Sequence, residues 1–392
     1  MNVLVINAGS SSLKYQLLDT ETREVFAKGN CERIGIDDSF IGHEEGGVKS
    51  KLVVDLPDHR TAIDQVFKIL ETVDVSVDGI GHRVVQGGWY FPDSAVVDDE
   101  VLAKVREVAP LAPLHNYAEA DVCEICCEMF PSIPNVIVPD TAFHYHMPEK
   151  AWRYALPRDV VDEYHIRKYG AHGTSHRYIW RATNEFTEGK VHKLVSCHLG
   201  SGASLCAIED GTCMDTTMGL TPLDGLIMGT RCGTVDPATV FYLNRVGGYS
   251  IDEIDTMMNK QSGLLAISGV SSDSRDIIAE ANKGNENCQM AIDMFCYRTS
   301  QLIAEMMASM EGMDTMVFTA GIGENSNELR AGIADRLGYL GVEIDPELNL
   351  VRSDDPRVIS TPESKVLVLV VPTNEEYMIA LDVERLVEGE AA

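Results

Sequence analysis

Residues 3–18 read VLVINAGSSSLKYQLL, and residues 194–208 read LVSCHLGSGASLCAI. Each stretch is an apolar run, then a polar residue (Asn7, His198), then a Gly/Ser turn, then Ser-Leu opening a second apolar run (Ser12-Leu13, Ser204-Leu205). A third strand candidate follows each, at residues 24–29 and 212–217. A short apolar run bounded by turn residues is the mark of a buried strand. One such hairpin is common. Its recurrence about 190 residues later predicts two related domains, each opening with a β-meander.

Outward from these stretches, strand-like and helix-like segments alternate, which places the chain in the α/β class. Ala62, Val66, Ile69, Leu70 and Val73 share one face of a helix that follows Asp58. Residues 75–80, 136–138, 316–319 and 366–371 are short buried strands. Residues 288–310 form a long helix stopped by Gly312, with methionines as core filler. Thr373-x-x-Glu376 has the form of a capping box and predicts a helix start.

The chain has 392 residues, 45% of them hydrophobic, and a formal net charge of −29. At roughly 100–200 residues per domain this is material for two or three domains. So acidic a chain is not expected to bind nucleic acid or an anionic membrane, both of which call for a cationic surface. A site for an anionic substrate must then be a local exception built from a few placed cations. No run approaches the ~18 apolar residues of a membrane span. Residues 1–6 carry no basic region, and their apolar run stops at Asn7, unlike a signal peptide. Ten scattered cysteines fit a reducing compartment, so a cytoplasmic location is expected. Cys123-x-x-Cys126-Cys127 lies in a helical pattern with no second cluster, and these are read as core or surface thiols.

In open α/β sheets, ligands bind beyond the carboxyl ends of the strands. The polar residues that directly follow apolar runs are therefore the candidates: Asn7, His82 with Arg83, Asp140, His198 and Glu375. The turns at Gly9-Ser10-Ser11-Ser12 and Gly200-Ser201-Gly202 leave backbone N–H groups free to face an anion, and Lys14 follows the first. Gly321-Ile322-Gly323-Glu324-Asn325 is expected to be a glycine turn from a strand into a helix beginning near Asn327, suited to a nucleotide. The only Gly-Lys, at 189–190, is followed by Val, so the chain is not a P-loop NTPase. Arg231 in MGTRCG, and His172 and His176 in GAHGTSH, sit among small residues rather than on an amphipathic face. From the residues alone Glu375 is a first-turn acid of the final helix.

The motifs NAGSSSLK (7–14), GHRVV (81–85), LAPLHN (111–116), DTAFH (140–144), HGTSH (172–176), MGLTPL (218–223), GIGENS (321–326) and PTNEE (372–376) resemble the acetate kinase family, in order and over residues 3 to about 380. The resemblance implies two duplicated ribonuclease-H-like (actin-like ATPase) domains around a nucleotide cleft. They would span residues 1–145 plus 377–392, and 146–376, the second also carrying the interface of a homodimer. It implies reversible Mg²⁺-dependent phosphoryl transfer from ATP to acetate, giving acetyl phosphate and ADP; Mn²⁺ is an expected substitute. A short-chain acyl kinase acting on propionate is the alternative.

By the same resemblance Asn7 and Glu375 position Mg²⁺. Lys14, His198, Leu199, Gly200, Ser201, Gly202, Asp273, Ser274, Arg275, Gly321, Ile322, Gly323, Glu324 and Asn325 hold ATP. Arg83 binds the carboxylate, while Val85, Leu114, Ala171 and Pro222 wall its methyl group. His172 and Arg231 stabilise the transferring phosphoryl group, and Asp140 is the acidic active-site residue. Several positions depart from the family pattern. Gln86 stands for His, Ser201 for Asn, Cys232 and Thr234 for Ser and Asp, Ser274 for an aromatic and Ala171 for Phe. The last predicts a roomier acyl pocket. A carboxylate is already an anion at neutral pH. The favoured mechanism is therefore direct in-line transfer by positioning and charge neutralisation, without a general base, with a phosphoenzyme on an acidic residue as the alternative.

Overall fold

The first strand of the chain, β1 (Asn2–Ala8), pairs antiparallel with β2 (Ser12–Asp19), which pairs antiparallel with β3 (Val25–Glu32). The meander continues through β4 (Phe40–Glu45) and β5 (Val48–Val53). On its other side β1 pairs parallel with β6 (Gly79–Val84), and β6 with β8 (Asn135–Pro139); β7 (Ala95–Val96) closes that edge. The sheet order is β5-β4-β3-β2-β1-β6-β8-β7. These strands belong to one compact unit, Met1–Tyr145 together with the chain from Asn374 onward; His146–Thr373 forms the other. The structure is a computed structural model, and it describes residues 1–113 and 115–389.

The second unit repeats the pattern with β9 (Lys193–Leu199), β10 (Ala203–Glu209), β11 (Thr212–Thr216), β12 (Thr315–Thr319), β13 (Arg357–Val358) and β14 (Leu367–Val370). Its order is β11-β10-β9-β12-β14-β13. β9 pairs antiparallel with β10 and parallel with β12, and β12 pairs parallel with β14. Each unit thus holds the same five-strand core, β3-β2-β1-β6-β8 in one and β11-β10-β9-β12-β14 in the other. That is the mixed sheet of the ribonuclease-H-like, actin-like ATPase fold, present twice. The duplication extends to the turns. Asn7 lies opposite Lys14 and Ala8 opposite Leu13; His198 lies opposite Ser204 and Leu199 opposite Ala203.

Each sheet is buried by helices. In the first unit Leu4, Ile6, Leu13 and Leu17 pack with Ala62, Ile63, Val66 and Leu70 of the helix His59–Leu70, which Asp58 caps through Thr61 N–H. The C-terminal helix Glu375–Val387 packs on β1 and β6. It approaches β6 so closely that a Cβ on Gly79 would meet Val383 at 2.6 Å and one on Gly81 would meet Ile379 at 2.5 Å. In the second unit the helix Glu286–Ser309 supplies Ala291, Phe295, Ile303 and Met306 to a core shared with β9, β10 and β12. No described helix is long and apolar enough to cross a membrane.

Three local expectations are corrected. The strand expected at residues 75–80 starts only at Gly79, because that is where pairing with β1 and β8 begins. The stretch 321–325 is not a turn but a short helix, Ala320–Asn325, followed by a second, Asn327–Ala334, capped by Ser326. The Glu324 carboxylate folds back to accept from Ala320 N–H at 2.8 Å and so satisfies the start of the short helix. The capping box at Thr373 and Glu376 does not form. Asn374 is the cap, accepting from Tyr377 N–H at 2.9 Å, and the chain re-enters the first unit there rather than at residue 377. Thr373 is engaged elsewhere, its N–H donating to Glu324 and its hydroxyl bonded to Ser175.

Candidate active site

The carboxyl ends of β1, β6 and β8 and the start of the C-terminal helix bring one arginine together with several acids in the first unit. Arg83, near the end of β6, donates to Asp140 Oδ2 at 2.5 Å and weakly to Asn7 Oδ1 at 3.5 Å; its Nε lies 4.0 Å from Glu375 Oε2. Asp140 is fully buried and Arg83 partly buried. Burial disfavours the Arg83 cation, but Asp140, Glu375 and Glu119 outweigh it and its pKa is raised. For Glu375 burial comes first and Asp140 second, and together they push its carboxyl up to about 7 against the pull of Arg83. Three acids around one arginine leave the cluster short of positive charge. The oxygen-only donor set of Asn7 and Glu375 beside that excess of carboxylate suits a hard cation such as Mg²⁺.

Val85 follows Arg83, is buried, and has its N–H held by Glu119 Oε2 at 2.9 Å. Asn116 ties down the next residue in both directions, accepting from Gln86 N–H and donating to Gln86 carbonyl at 2.7 Å. Neither Glu119 nor Asn116 was expected in the site, and a lone acid in a first helical turn carries no sequence signal of it. Leu114 lies outside the described residues. Asn7 and Lys14 line a cavity of about 390 Å³ in this unit that Glu376 also faces.

In the second unit the polar groups follow β9 and β10. His172 takes the left-handed conformation (φ 57°) immediately before the helix Gly173–Phe186. Its ring stacks on that of His198 at 4.1 Å, and its Nδ1 is bonded to Ser204 Oγ at 2.9 Å. Behind it Ser204 also meets His176 Nε2 at 2.8 Å, and His176 Nδ1 meets Ser196 at 2.9 Å, all three residues fully buried. His198 Nδ1 is held by Ser175 at 2.8 Å. These bonds fix the plane of the His172 ring, whose other nitrogen is Nε2.

That nitrogen and an Arg231 nitrogen converge. A Cβ placed on Gly202 would lie 3.5 Å from His172 Nε2 and 3.6 Å from Arg231 NH1. Arg231 is partly buried, and burial lowers its pKa. Its hydrogen bonds go to the Pro222 carbonyl at 3.0 Å and the Met228 sulfur at 3.6 Å; among the described residues no acid pairs with it. Ala171, next to His172, is buried in the core of this unit.

A cavity of about 690 Å³ in the second unit is lined by Gly200, Ser201, Asp273, Ser274, Arg275, Gly321, Ile322 and Asn325, joined by Ser272, Ile278 and Arg352. Arg275 is exposed and paired with Asp273 at 2.6 Å, which also accepts from Arg275 N–H to start the helix Ser274–Ala281. Other expected nucleotide residues are placed differently. Leu199 points into the core, His198 belongs to the histidine–serine network, and Glu324 serves the backbone of residues 320 and 373. Lys14 lies in the first unit.

The sequence model of the acetokinase family matches residues 2–381. A protein named acetate kinase from Caldicellulosiruptor saccharolyticus is 48% identical over 400 residues, covering 99% of this chain and 100% of the relative. The crystal structure of Porphyromonas gingivalis acetate kinase superposes with a TM-score of 0.93 at 40% identity, covering 98% of this chain and 99% of that one. That of a propionate kinase from Francisella tularensis gives 0.93 at 37% identity, with the same coverage.

Proposed function

The chain belongs to the acetokinase family and is accordingly a kinase, and from that premise we propose that it moves a phosphoryl group reversibly between ATP and acetate, giving acetyl phosphate and ADP. The observation that carries the reading is Arg231. A partly buried guanidinium with no acid partner among the described residues, converging with His172 Nε2 above a glycine, is a prepared seat for negative charge. Arg83, already oriented by Asp140, would take the substrate carboxylate, which needs no base because it is an anion at neutral pH. The glycine-lined cavity of the second unit would take ATP. Attack is direct and in line, and Arg231 and His172 hold the equatorial oxygens as their charge spreads.

The histidine–serine network supports a specific proton arrangement. For His172 to donate from Nε2, its Nδ1 must accept from Ser204, whose oxygen must in turn accept from His176 Nε2–H. Ser204 then sets the tautomer of His172. Asn7 and Glu375 would hold Mg²⁺, which supplies charge neutralisation on the phosphates when bound.

Acetate-dependent formation of ADP with Mg²⁺, measured in a coupled assay beside propionate, tests the reading. ATP turnover indifferent to both acids would sink it. Glu375→Ala is expected to raise the Mg²⁺ needed for half-maximal rate. Glu376 lines the same cavity as Asn7 and Lys14 but makes no cap, and it is Glu375 that lies beside Arg83, so Glu376→Ala is expected to move that requirement much less. A metal titration of both variants separates the two glutamates.

A homodimer through the second unit, and a cytoplasmic location, complete the proposal. Phe241, Tyr242, Val246 and Ile251 are each more than half exposed within one stretch of eleven residues, an apolar patch of the kind that associates. Sedimentation is expected to give twice the 43.0 kDa chain mass, and Tyr242→Glu with Val246→Glu to give the chain mass. A monomeric parent protein would remove this part of the proposal.

A further inference from the structure

We propose that Glu119 is a positioning residue of the carboxylate site that takes up a proton as the carboxylate substrate binds beside Arg83. The inference rests on the reading of Arg83 as the carboxylate anchor.

Glu119 is 1% exposed, in the first turn of the helix Asn116–Met129. One of its oxygens accepts from Val85 N–H; the other, Oε1, is buried with no hydrogen-bond partner among the described residues. A buried carboxylate with an unsatisfied oxygen is much costlier as an anion than as a neutral acid. The charged groups acting on Glu119 are Arg83, from β6, and Asp140, just beyond β8; Asn116 on its own helix is neutral. Burial is the largest influence and Arg83 opposes it, while Asp140 adds to it, so the carboxyl is pushed up to about 7.

Arg83 is already shared by Asp140, Glu375 and Glu119. A substrate carboxylate arriving at the same guanidinium adds a fourth acid. Of the three resident acids, Asp140 holds a short bond to Arg83, and Glu375 is partly exposed. Glu119 is the one left buried with an unpaired oxygen, and protonating it relieves the crowding at least cost. The sign follows. Substrate binding raises the Glu119 pKa further, so binding consumes a proton and weakens as pH rises from about 7, where Glu119 ionises in the free protein. Acetate itself titrates far below this window and contributes nothing.

Two measurements with acetate test the inference. In the first, KM for acetate at saturating nucleotide and Mg²⁺ is followed from pH 6 to 9. The parent KM should climb above neutrality, by up to about tenfold per pH unit for one linked proton. Glu119→Gln copies the neutral acid and keeps an acceptor for Val85 N–H, so its KM should stay at the low-pH value throughout. Glu119→Ala loses the Val85 anchor and should raise KM at every pH. In the second, calorimetric titration of the parent protein with acetate in buffers of different ionisation enthalpy should show net proton uptake near pH 7.5. Identical pH profiles for the parent and Glu119→Gln, or binding without proton uptake, would overturn the inference. Should the glutamine variant fail to fold, the calorimetric proton count on the parent protein decides alone. A parent protein that neither binds nor phosphorylates acetate would instead sink the functional reading itself, and is told apart by the absence of turnover at every pH.

Discussion

Arg231→Ala is expected to lower kcat by up to ~10³-fold, the range an arginine acting on a transferring phosphoryl group commands, with much smaller changes in KM for acetate or ATP. The reason lies in what the residue lacks. Its hydrogen bonds reach one carbonyl and one thioether, and no described acid neutralises it. A guanidinium held in this way costs folding free energy, and its full value returns only when charge spreads over the phosphoryl oxygens. The variant should therefore unfold at the same temperature as the parent protein or higher, while losing turnover, the trade of stability for activity found at prepared sites. A structural arginine would behave in the opposite way, with a lower Tm and near-normal kcat. Steady-state kinetics in both directions, with a thermal melt of the same samples, distinguishes the two.

Much of this arrangement could be read from the chain, because its elements are local. The two meanders announce themselves as apolar runs broken by Gly/Ser turns, and the duplicated sheet order follows from them. The strand-end rule brought Asn7, Arg83, Asp140 and Glu375 forward, and the structure gathers the other three around the guanidinium of Arg83. What could not be read depends on partners distant in sequence. Thr373-x-x-Glu376 has the form of a cap. Yet Ser175 and Glu324 occupy Thr373 from 198 and 49 residues away, and the next residue, Asn374, caps instead. Residues 321–325 look like a turn because glycines are poor helix formers. A side chain within the stretch, Glu324, closes the helix start at Ala320. Glu119 resembles any first-turn acid until β6 is laid beside it. The serines behind His172 read as ordinary strand residues until the antiparallel register of β9 and β10 sets Ser204 opposite His198.

Arg83→Ala is expected to be damaging in two separable ways. As the carboxylate anchor, its loss should cut kcat/KM for acetate on the order of 10²–10³-fold, as for truncating one partner of a buried hydrogen-bonded charge pair. Unlike Arg231→Ala, it should also destabilise the fold. Asp140 has no exposure, and removing Arg83 takes away the cation bonded to this buried carboxylate; breaking such a pair costs up to roughly 3–5 kcal/mol. The loss should depend on pH in a defined direction. Glu119 already has a folded pKa of about 7, raised above the ordinary carboxyl value. Its contribution to stability is thus present below that ordinary value and lost as pH rises through the folded one. Arg83 holds the pKa down, so deleting it moves the folded value higher and enlarges the loss on the alkaline side. The gap in Tm between the parent and Arg83→Ala should widen from pH 5 to pH 8. Combining Arg83→Ala with Glu119→Gln should narrow it again, since the second change removes one of the acids left without a cation. A constant gap across pH, or strictly additive effects of the two substitutions, would mean that Arg83 and Glu119 are not coupled in the folded protein.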